Sequence, residues 1–278
     1  MKKYALIGHP LGHSMSPLIH EKLFSISGHE DSEYVLTDIA PDVLTEKIAY
    51  LKTLSGFNIT IPHKQNIIPM LDELAESAKR YNAVNCVNND GGKLVGYNTD
   101  CHGFIKSVEN FPLDGKVLLL GCGGAGRMMG IEAVRQGADL TVAVRSGSVK
   151  KAEILSEEIR TNYGREIKIA DISKINGKYD VLLNSTPVGM YPEVSGCPVR
   201  DEVIENCGYF FDAVYNPTDT VLVRKAKAMG KTAVGGAAML VYQAVKAHEI
   251  WNGTSFTVRQ TAPIIKAVES AVDAMQNK

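Results

Sequence analysis

Short apolar runs alternate with longer stretches of helical spacing along most of the chain. Residues 4–8 form a compact apolar run and read as a strand. Ser16-Pro17 then reads as an N-cap followed by proline at the first helical position, opening a helix to about residue 27. A second strand is expected over 34–38. Over 41–54, Val43, Leu44, Ile48 and Leu51 recur at helical spacing and predict a helix. Residues 56–61 alternate and stop at Pro62, as a strand leading into a helix start does. A helix is expected over 67–79 and short strands over 83–88 and 94–97. Asn89-Asp90-Gly91-Gly92 between those strands is a hairpin signal.

The pattern changes after Pro112 and Asp114-Gly115. Residues 116–120 are continuously apolar, as in a strand buried on both faces of a parallel sheet. A glycine-rich turn and a helix over 127–136 follow, ended by Gly137. Further strands are expected over 138–144, 166–170, 181–184, 209–213 and 232–234, with helices over 150–163 and 221–229 the clearest between them. Repeated strand–helix–strand order implies a parallel sheet with right-handed crossovers. Two last helices, over about 239–251 and 263–275, follow Gly235-Gly236, which reads as a hinge. No internal repeat or low-complexity segment interrupts the pattern.

Length turns this into a two-domain expectation, because 278 residues exceed one ordinary core and suit two of roughly 100–150 residues. Hydrophobic residues are 45% and charged residues 22%, which excludes disorder and fibrous repeats. With 30 Lys plus Arg against 31 Asp plus Glu, the formal charge is −1, so no global field draws the chain to nucleic acid or a membrane surface. Cys86, Cys101, Cys122, Cys197 and Cys207 form no CxxC pair, and their odd number suggests reduced thiols in the cytoplasm. His9 and His13 are four apart, but Pro10 and Gly12 between them argue against an aligning helix, so no metal is expected. The N-terminal apolar stretch is too short for a signal peptide, and the low-charge stretch 232–245 is too polar for a membrane span.

The 25 glycines, about 9% of residues, are a mild excess whose placement carries the first chemistry. Gly121-Cys122-Gly123-Gly124-Ala125-Gly126 lies between an expected strand and an expected helix, the context of a dinucleotide fingerprint. Gly121 permits the tight turn, Gly123 lets the backbone approach a pyrophosphate, and Gly126 allows close packing. The helix N-terminus then offers free N–H groups to phosphate. A strand–helix turn without ligand is the plainer alternative. At the end of the next strand an NAD site usually has an acid, whereas this chain has Val144-Arg145-Ser146-Gly147-Ser148 followed by Lys150 and Lys151. A solvated strand-end cation is the ordinary reading of Arg145 alone; together with the hydroxyls it favours a 2′-phosphate, hence NADP.

The first half concentrates polar residues at expected strand ends: Ser14, Ser16, Asn58, Thr60, Lys64, Asn85, Asn98, Thr99 and Asp100. Ligands gather at such ends in open α/β sheets. Hydroxyl and amide groups there suit a polyhydroxylated anionic small molecule, although Ser16 alone fits an N-cap equally and Lys64 alone a solvated lysine.

In sequence the chain resembles the shikimate dehydrogenase family. The resemblance rests on residues 7–17 (IGHPLGHSMSP), 56–64 (GFNITIPHK), Ala83-Val84-Asn85, Gly96-Tyr97-Asn98-Thr99-Asp100, the glycine turn, 184–190 (NSTPVGM), 212–217 (DAVYNP) and 239–243 (MLVYQ). It implies an α/β fold of two domains around a cleft: an N-terminal substrate-binding and catalytic domain over 1–110, completed by C-terminal helices over 237–278, and a Rossmann NAD(P)-binding domain over 111–236. The implied activity is the reversible NADPH-dependent reduction of 3-dehydroshikimate to shikimate in chorismate and aromatic amino-acid biosynthesis, by a monomer or homodimer. Lys64 and Asp100 match the catalytic pair, and the hinge glycines with Pro112 suggest a closure that brings Lys64 to the nicotinamide. Ser14, Ser16, Thr60 and Tyr215 match positions facing the substrate carboxylate, and Asn58, Asn85 and Gln243 those binding ring hydroxyls. Cofactor contacts fall on Gly121, Gly123, Gly124, Ala125, Gly126, Arg145, Ser146, Lys150, Thr186, Gly236 and Met239. The chain departs from the family at Val144-Arg145-Ser146, where Asn-Arg-Thr is usual, and at Val149, where a second arginine would fall and Lys150 stands in. It departs again at Gly235-Gly236-Ala237-Ala238 and at His248, where an aromatic is common. A broader quinate/shikimate dehydrogenase using NAD and a non-catalytic ligand sensor are the alternatives. The Ser14–Ser16 pair favours shikimate, and retention of Lys64 and Asp100 favours an enzyme.

Overall fold

A computed structural model describes residues 1–12 and 14–276. It divides into two compact units, Met1–Gly103 with Leu240–Val268, and Phe104–Met239 with the chain from Glu269 onward.

The sheet of the first unit contains β1 (Lys3–Gly8), β2 (Glu33–Asp38), β3 (Gly56–Ile59), β4 (Glu73–Leu74), β5 (Cys86–Asp90) and β6 (Lys93–Tyr97) in the order β2-β1-β3-β5-β6-β4. Strands β2, β1 and β3 run parallel, and the crossovers that parallel pairing demands carry α1 (Ser16–Ser27) and α2 (Ile48–Leu51). Strand β5 joins β3 antiparallel and makes the expected hairpin with β6 through Gly91 and Gly92. The period-2 alternation of β1 sends Ala5 and Ile7 to a core with Phe57, Ile59, Val87 and Leu94, and Tyr4 to a second core with Phe24, Cys86 and Trp251. Both faces are therefore covered.

Shorter helices α3 (His63–Asn66), α4 (Glu76–Tyr81) and α5 (Asp100–Ser107) complete the N-terminal stretch. The helix expected over 67–79 is broken, and only its end is helical, within α4. Pro69 lacks the N–H a helix needs and sits in a 3₁₀ turn over Ile68–Met70. The chain then extends, Asp72 N–H bonds the Leu94 carbonyl at 3.0 Å, and Glu73–Leu74 pairs with β6. The helix expected over 41–54 is reduced to a 3₁₀ turn at Pro41–Val43 and the single turn α2, with the Lys47 N–H shared between the Val43 and Leu44 carbonyls. Ser16 is not the N-cap of α1. It is the first helical residue after Met15, and the Ser14 hydroxyl accepts its N–H at 3.2 Å.

In the second unit β7 (Lys116–Leu120), β8 (Asp139–Val144), β9 (Lys168–Asp171), β10 (Tyr179–Asn184), β11 (Cys207–Asp212) and β12 (Thr232–Val234) are all parallel, in the order β12-β11-β10-β7-β8-β9. That is the doubly wound order, whose direction of travel reverses between β7 and β10. Its helices are α6 (Gly124–Arg135), α7 (Val149–Tyr163), α8 (Asp201–Glu205) and α9 (Val221–Ala228). Of the two last helices, α10 (Ala237–Asn252) belongs to the first unit from Leu240 on, and α11 (Val258–Gln276) belongs to the first unit through Val268 and to the second from Glu269. Gly235-Gly236 is packed down rather than free. A β-carbon on Gly236 would collide with the Ala213 carbonyl, and one on Gly235 would lie 2.7 Å from the Thr218 carbonyl. Among the described residues no helix is long and apolar enough to cross a membrane.

Candidate active site

Lys64 stands in α3, the helical turn after β3 whose N-cap is Pro62, and its carbonyl accepts the Val84 N–H at 2.7 Å. Asp100 opens α5. The Asn98 side-chain oxygen caps that helix by accepting the Asp100 N–H at 3.1 Å, and the helix N-terminus favours the carboxylate. Lys64 Nζ donates to Asp100 Oδ2 at 2.6 Å, with side-chain exposures of 32% and 22%. The pair is thus reachable by a small molecule yet partly shielded from water.

Asn85 fixes the other carboxylate oxygen, donating to Asp100 Oδ1 at 2.8 Å and to Thr99 Oγ1 at 3.0 Å. Its own oxygen accepts the Thr99 N–H at 2.6 Å. Thr99 Oγ1 also lies 3.4 Å from Gln243 Oε1, while Gln243 Nε2 donates to the Leu240 carbonyl at 2.9 Å. Asn58 donates to the Asn85 carbonyl at 3.2 Å and accepts the Tyr34 hydroxyl at 2.8 Å. Ser16 hydrogen-bonds the same phenol, whose pKa burial holds well above the ordinary value, so it remains a neutral donor. Thr60 is half-buried, and its methyl fills the space a Gly8 β-carbon would need, 2.5 Å away. The loop that leads to Ser14 is tied to β2: Asp38 contacts the His9 ring at 2.6 Å and accepts the Leu11 N–H at 2.7 Å, which holds its carboxyl below the usual range. His13 lies outside the described residues, and no group of three metal-ligating side chains occurs among those described.

In the second unit Gly121 turns the chain at φ +89°, where a side chain would be strained. Helix α6 starts at Gly124 after Gly123, with no side-chain cap and no acid in its first turn. Nothing lies within 4 Å of where β-carbons on Gly123 or Gly124 would sit. Uncapped N–H groups, positive helix end and open space together fit a pyrophosphate. A β-carbon on Gly126 would meet Ser185 Oγ at 2.5 Å, so this glycine makes room for the Asn184–Thr186 strap. Ala125 is exposed beside it. Arg145, Ser146 and Lys150 are exposed at the end of β8, and neither cation has an ion-pair partner among the described residues. Thr186 gives its N–H and hydroxyl to Asn184 Oδ1 at 3.0 and 2.7 Å. Gly236 N–H bonds the Val214 carbonyl at 3.0 Å, Met239 is half-buried, and burial raises the Tyr215 phenol.

Hydrogen bonds therefore join Lys64, Asp100, Asn85, Gln243, Asn58 and Ser16 into one network in the first unit. The dinucleotide candidates and Tyr215 belong to the second. Sequence reasoning named Thr99 only among the strand-end polar residues, without a role, and passed over Tyr34. The Asn98-Thr99-Asp100 triplet was a signal for Thr99, whereas Tyr34 looked like any strand tyrosine.

The model of the shikimate dehydrogenase substrate binding domain matches residues 6–87. A shikimate dehydrogenase (NADP⁺) of Caldanaerobacter subterraneus is 38% identical over 263 residues, covering 92% of this chain and 93% of its own. This chain belongs to the shikimate dehydrogenase family. A shikimate dehydrogenase solved in complex with NADP⁺ superposes with a TM-score of 0.86 at 34% identity, covering 96% of this chain and 95% of its own. The Thermus thermophilus shikimate 5-dehydrogenase, solved with NADP(H) and shikimate, gives 0.85 at 30% identity, with coverage of 96% and 100%. Within the family's substrate-binding stretch fall Ser14, Ser16, Asn58, Thr60, Lys64 and Asn85; Asp100 lies beyond it.

Proposed function

We propose that this chain catalyses the NADP-dependent interconversion of shikimate and 3-dehydroshikimate, with the first unit binding the substrate and the second the dinucleotide. The observation that carries the reading is the 2.6 Å Lys64–Asp100 contact buttressed by Asn85. Bound NADP supplies the hydride acceptor for oxidation and, reduced, the hydride donor. Lys64 polarises the carbonyl oxygen and delivers a proton to it on reduction, and the hydroxyl proton returns to the pair on oxidation. Asp100 orients both the lysine and the substrate. Ser14, Ser16, Thr60 and Tyr215 meet the carboxylate, while Asn58, Asn85 and Gln243 meet the ring hydroxyls. These are neutral donors and acceptors, suited to a polyhydroxylated acid. The dinucleotide contacts are Gly121, Gly123, Gly124, Ala125, Gly126, Arg145, Ser146, Lys150, Thr186, Gly236 and Met239. A monomer or homodimer acting in the cytoplasm completes the proposal.

Steady-state oxidation of shikimate and of quinate, followed at 340 nm with NADP and with NAD, tests it. Turnover is expected with shikimate and NADP, and binding of both without absorbance change would instead mark a sensor. Arg145→Ala is expected to raise KM for NADP by about tenfold or more, the worth of one charge-assisted contact, and to leave KM for NAD unchanged. Equal changes for both cofactors would remove Arg145 from 2′-phosphate recognition.

A further inference from the structure

Asp212, the last residue of β11, is fully buried, and its partners are all neutral. Oδ1 accepts from Asn184 Nδ2 at 2.9 Å and from the Val214 N–H at 3.0 Å. Oδ2 accepts the Thr220 hydroxyl at 2.7 Å. No cation among the described residues pairs with it. Burial pushes the carboxyl up to about 6, against the pull of those three hydrogen bonds, so it is largely ionised at neutral pH. A buried anion without a counter-ion is costly, and a neutral side chain could make similar contacts. A carboxylate at that place calls for a charge-specific reason.

The sheet order supplies one. From β8, which ends at Arg145, the order runs through β7 and its glycine turn to β10 and β11. A dinucleotide with its 2′-phosphate at Arg145 and its pyrophosphate at the turn must extend its other half over the tips of β10 and β11. Those tips are Asn184 and Asp212. Asn184 ties them together, donating to Asp212 and accepting both Thr186 donors. The Ser185 hydroxyl next to it bonds the Leu120 carbonyl at 2.8 Å, bracing the strap against the glycine turn. Bound NADP supplies a nicotinamide that is cationic when oxidised and neutral when reduced.

Building on the reading above, we infer that the buried carboxylate of Asp212 is a fixed negative charge that biases the dinucleotide site toward NADP⁺ over NADPH. A tethering role alone would weaken both forms equally if the residue were changed. The charge role changes their ratio.

Asp212→Asn separates the two, because its oxygen can keep the Asn184 and Val214 bonds while its amide turns toward the Thr220 oxygen. Dissociation constants for NADP⁺ and NADPH are measured by titration calorimetry at pH 8 without shikimate. The ratio Kd(NADP⁺)/Kd(NADPH) is expected to rise about tenfold in D212N, the effect of removing one unit charge about 12 Å away at an effective dielectric constant of about 20. Thr220→Val loosens the same network but keeps the charge, so it is expected to lower Tm with the ratio unchanged. D212S, also uncharged, serves if D212N does not fold. An unchanged ratio in the uncharged variant overturns the inference. Wild-type protein that binds neither nucleotide overturns the proposed function itself.

Discussion

Lys64→Ala is expected to lower kcat for shikimate oxidation by about 10²–10⁴, the range of a lost general acid–base group. The ammonium touches Asp100 at 2.6 Å, and Asp100 is held on its other oxygen by Asn85, so the lysine has one preferred placement. The alanine variant keeps the carboxylate but loses the group that delivers the proton. Asp100→Asn keeps the shape and the Asn85 contact, and loses the charge that fixes the lysine. The two residues act as a unit, so the double variant is expected to cost little more than Lys64→Ala alone. NADP⁺ affinity, measured in the absence of shikimate, is expected to stay at the wild-type value in all three, because the glycine turn and Arg145 belong to the other unit. Unchanged turnover in Lys64→Ala removes the lysine from the mechanism. A parallel loss of NADP⁺ affinity points to misfolding instead.

How far this site could be read from sequence depended on how local each signal was. The strand 116–120, the glycine turn and the following helix form within 20 residues, and β7 and α6 fall where the apolar run and glycines predicted. Lys64 and Asp100 are 36 apart, and nothing in local periodicity brings them together; the family pattern pointed to them, and the order β3-β5-β6 joins the strands that carry them. Pro69 is a helix breaker that the sequence itself displays, and it accounts for the interruption of the helix expected over 67–79. Tyr34 and Asp212 were not legible, because their importance lies in the direction of one hydroxyl and the absence of a counter-ion. Neither property has a sequence pattern.

His248 stands where the family commonly has an aromatic, and its surroundings give it an energetic role. His20 Nδ1 and His248 Nε2 meet at 3.0 Å across 228 positions, both fully buried. Tyr34 stacks on His20 at 4.0 Å, and Phe24, Trp251 and Phe256 surround the pair. His20 Nε2 and His248 Nδ1 find no partner among the described residues. Burial, and for His20 the neighbouring His248, hold both imidazoles well below the ordinary histidine value. The unfolded chain therefore binds more protons than the folded one below about pH 6.5, and stability falls as pH drops through that window by about 1.4 kcal/mol per pH unit for each histidine. Asp212 has the opposite sign. Its carboxyl protonates near 6 when folded and near 3.8 when unfolded, so acid stabilises it over that interval by a similar slope. One carboxyl offsets at most one of the two imidazoles. It also belongs to the other unit, so the first unit is expected to melt earlier as pH falls from 6.5 to 4.5. His248→Phe keeps a ring in the aromatic cluster and removes one titrating group. Its stability, measured by thermal and denaturant melts at pH 7, 6 and 5, is expected to fall less steeply by about 1.4 kcal/mol per pH unit than that of wild type. The surface carboxylates and His20 are present in both proteins, so the difference isolates His248, and identical slopes would show that His248 carries no protonation linkage.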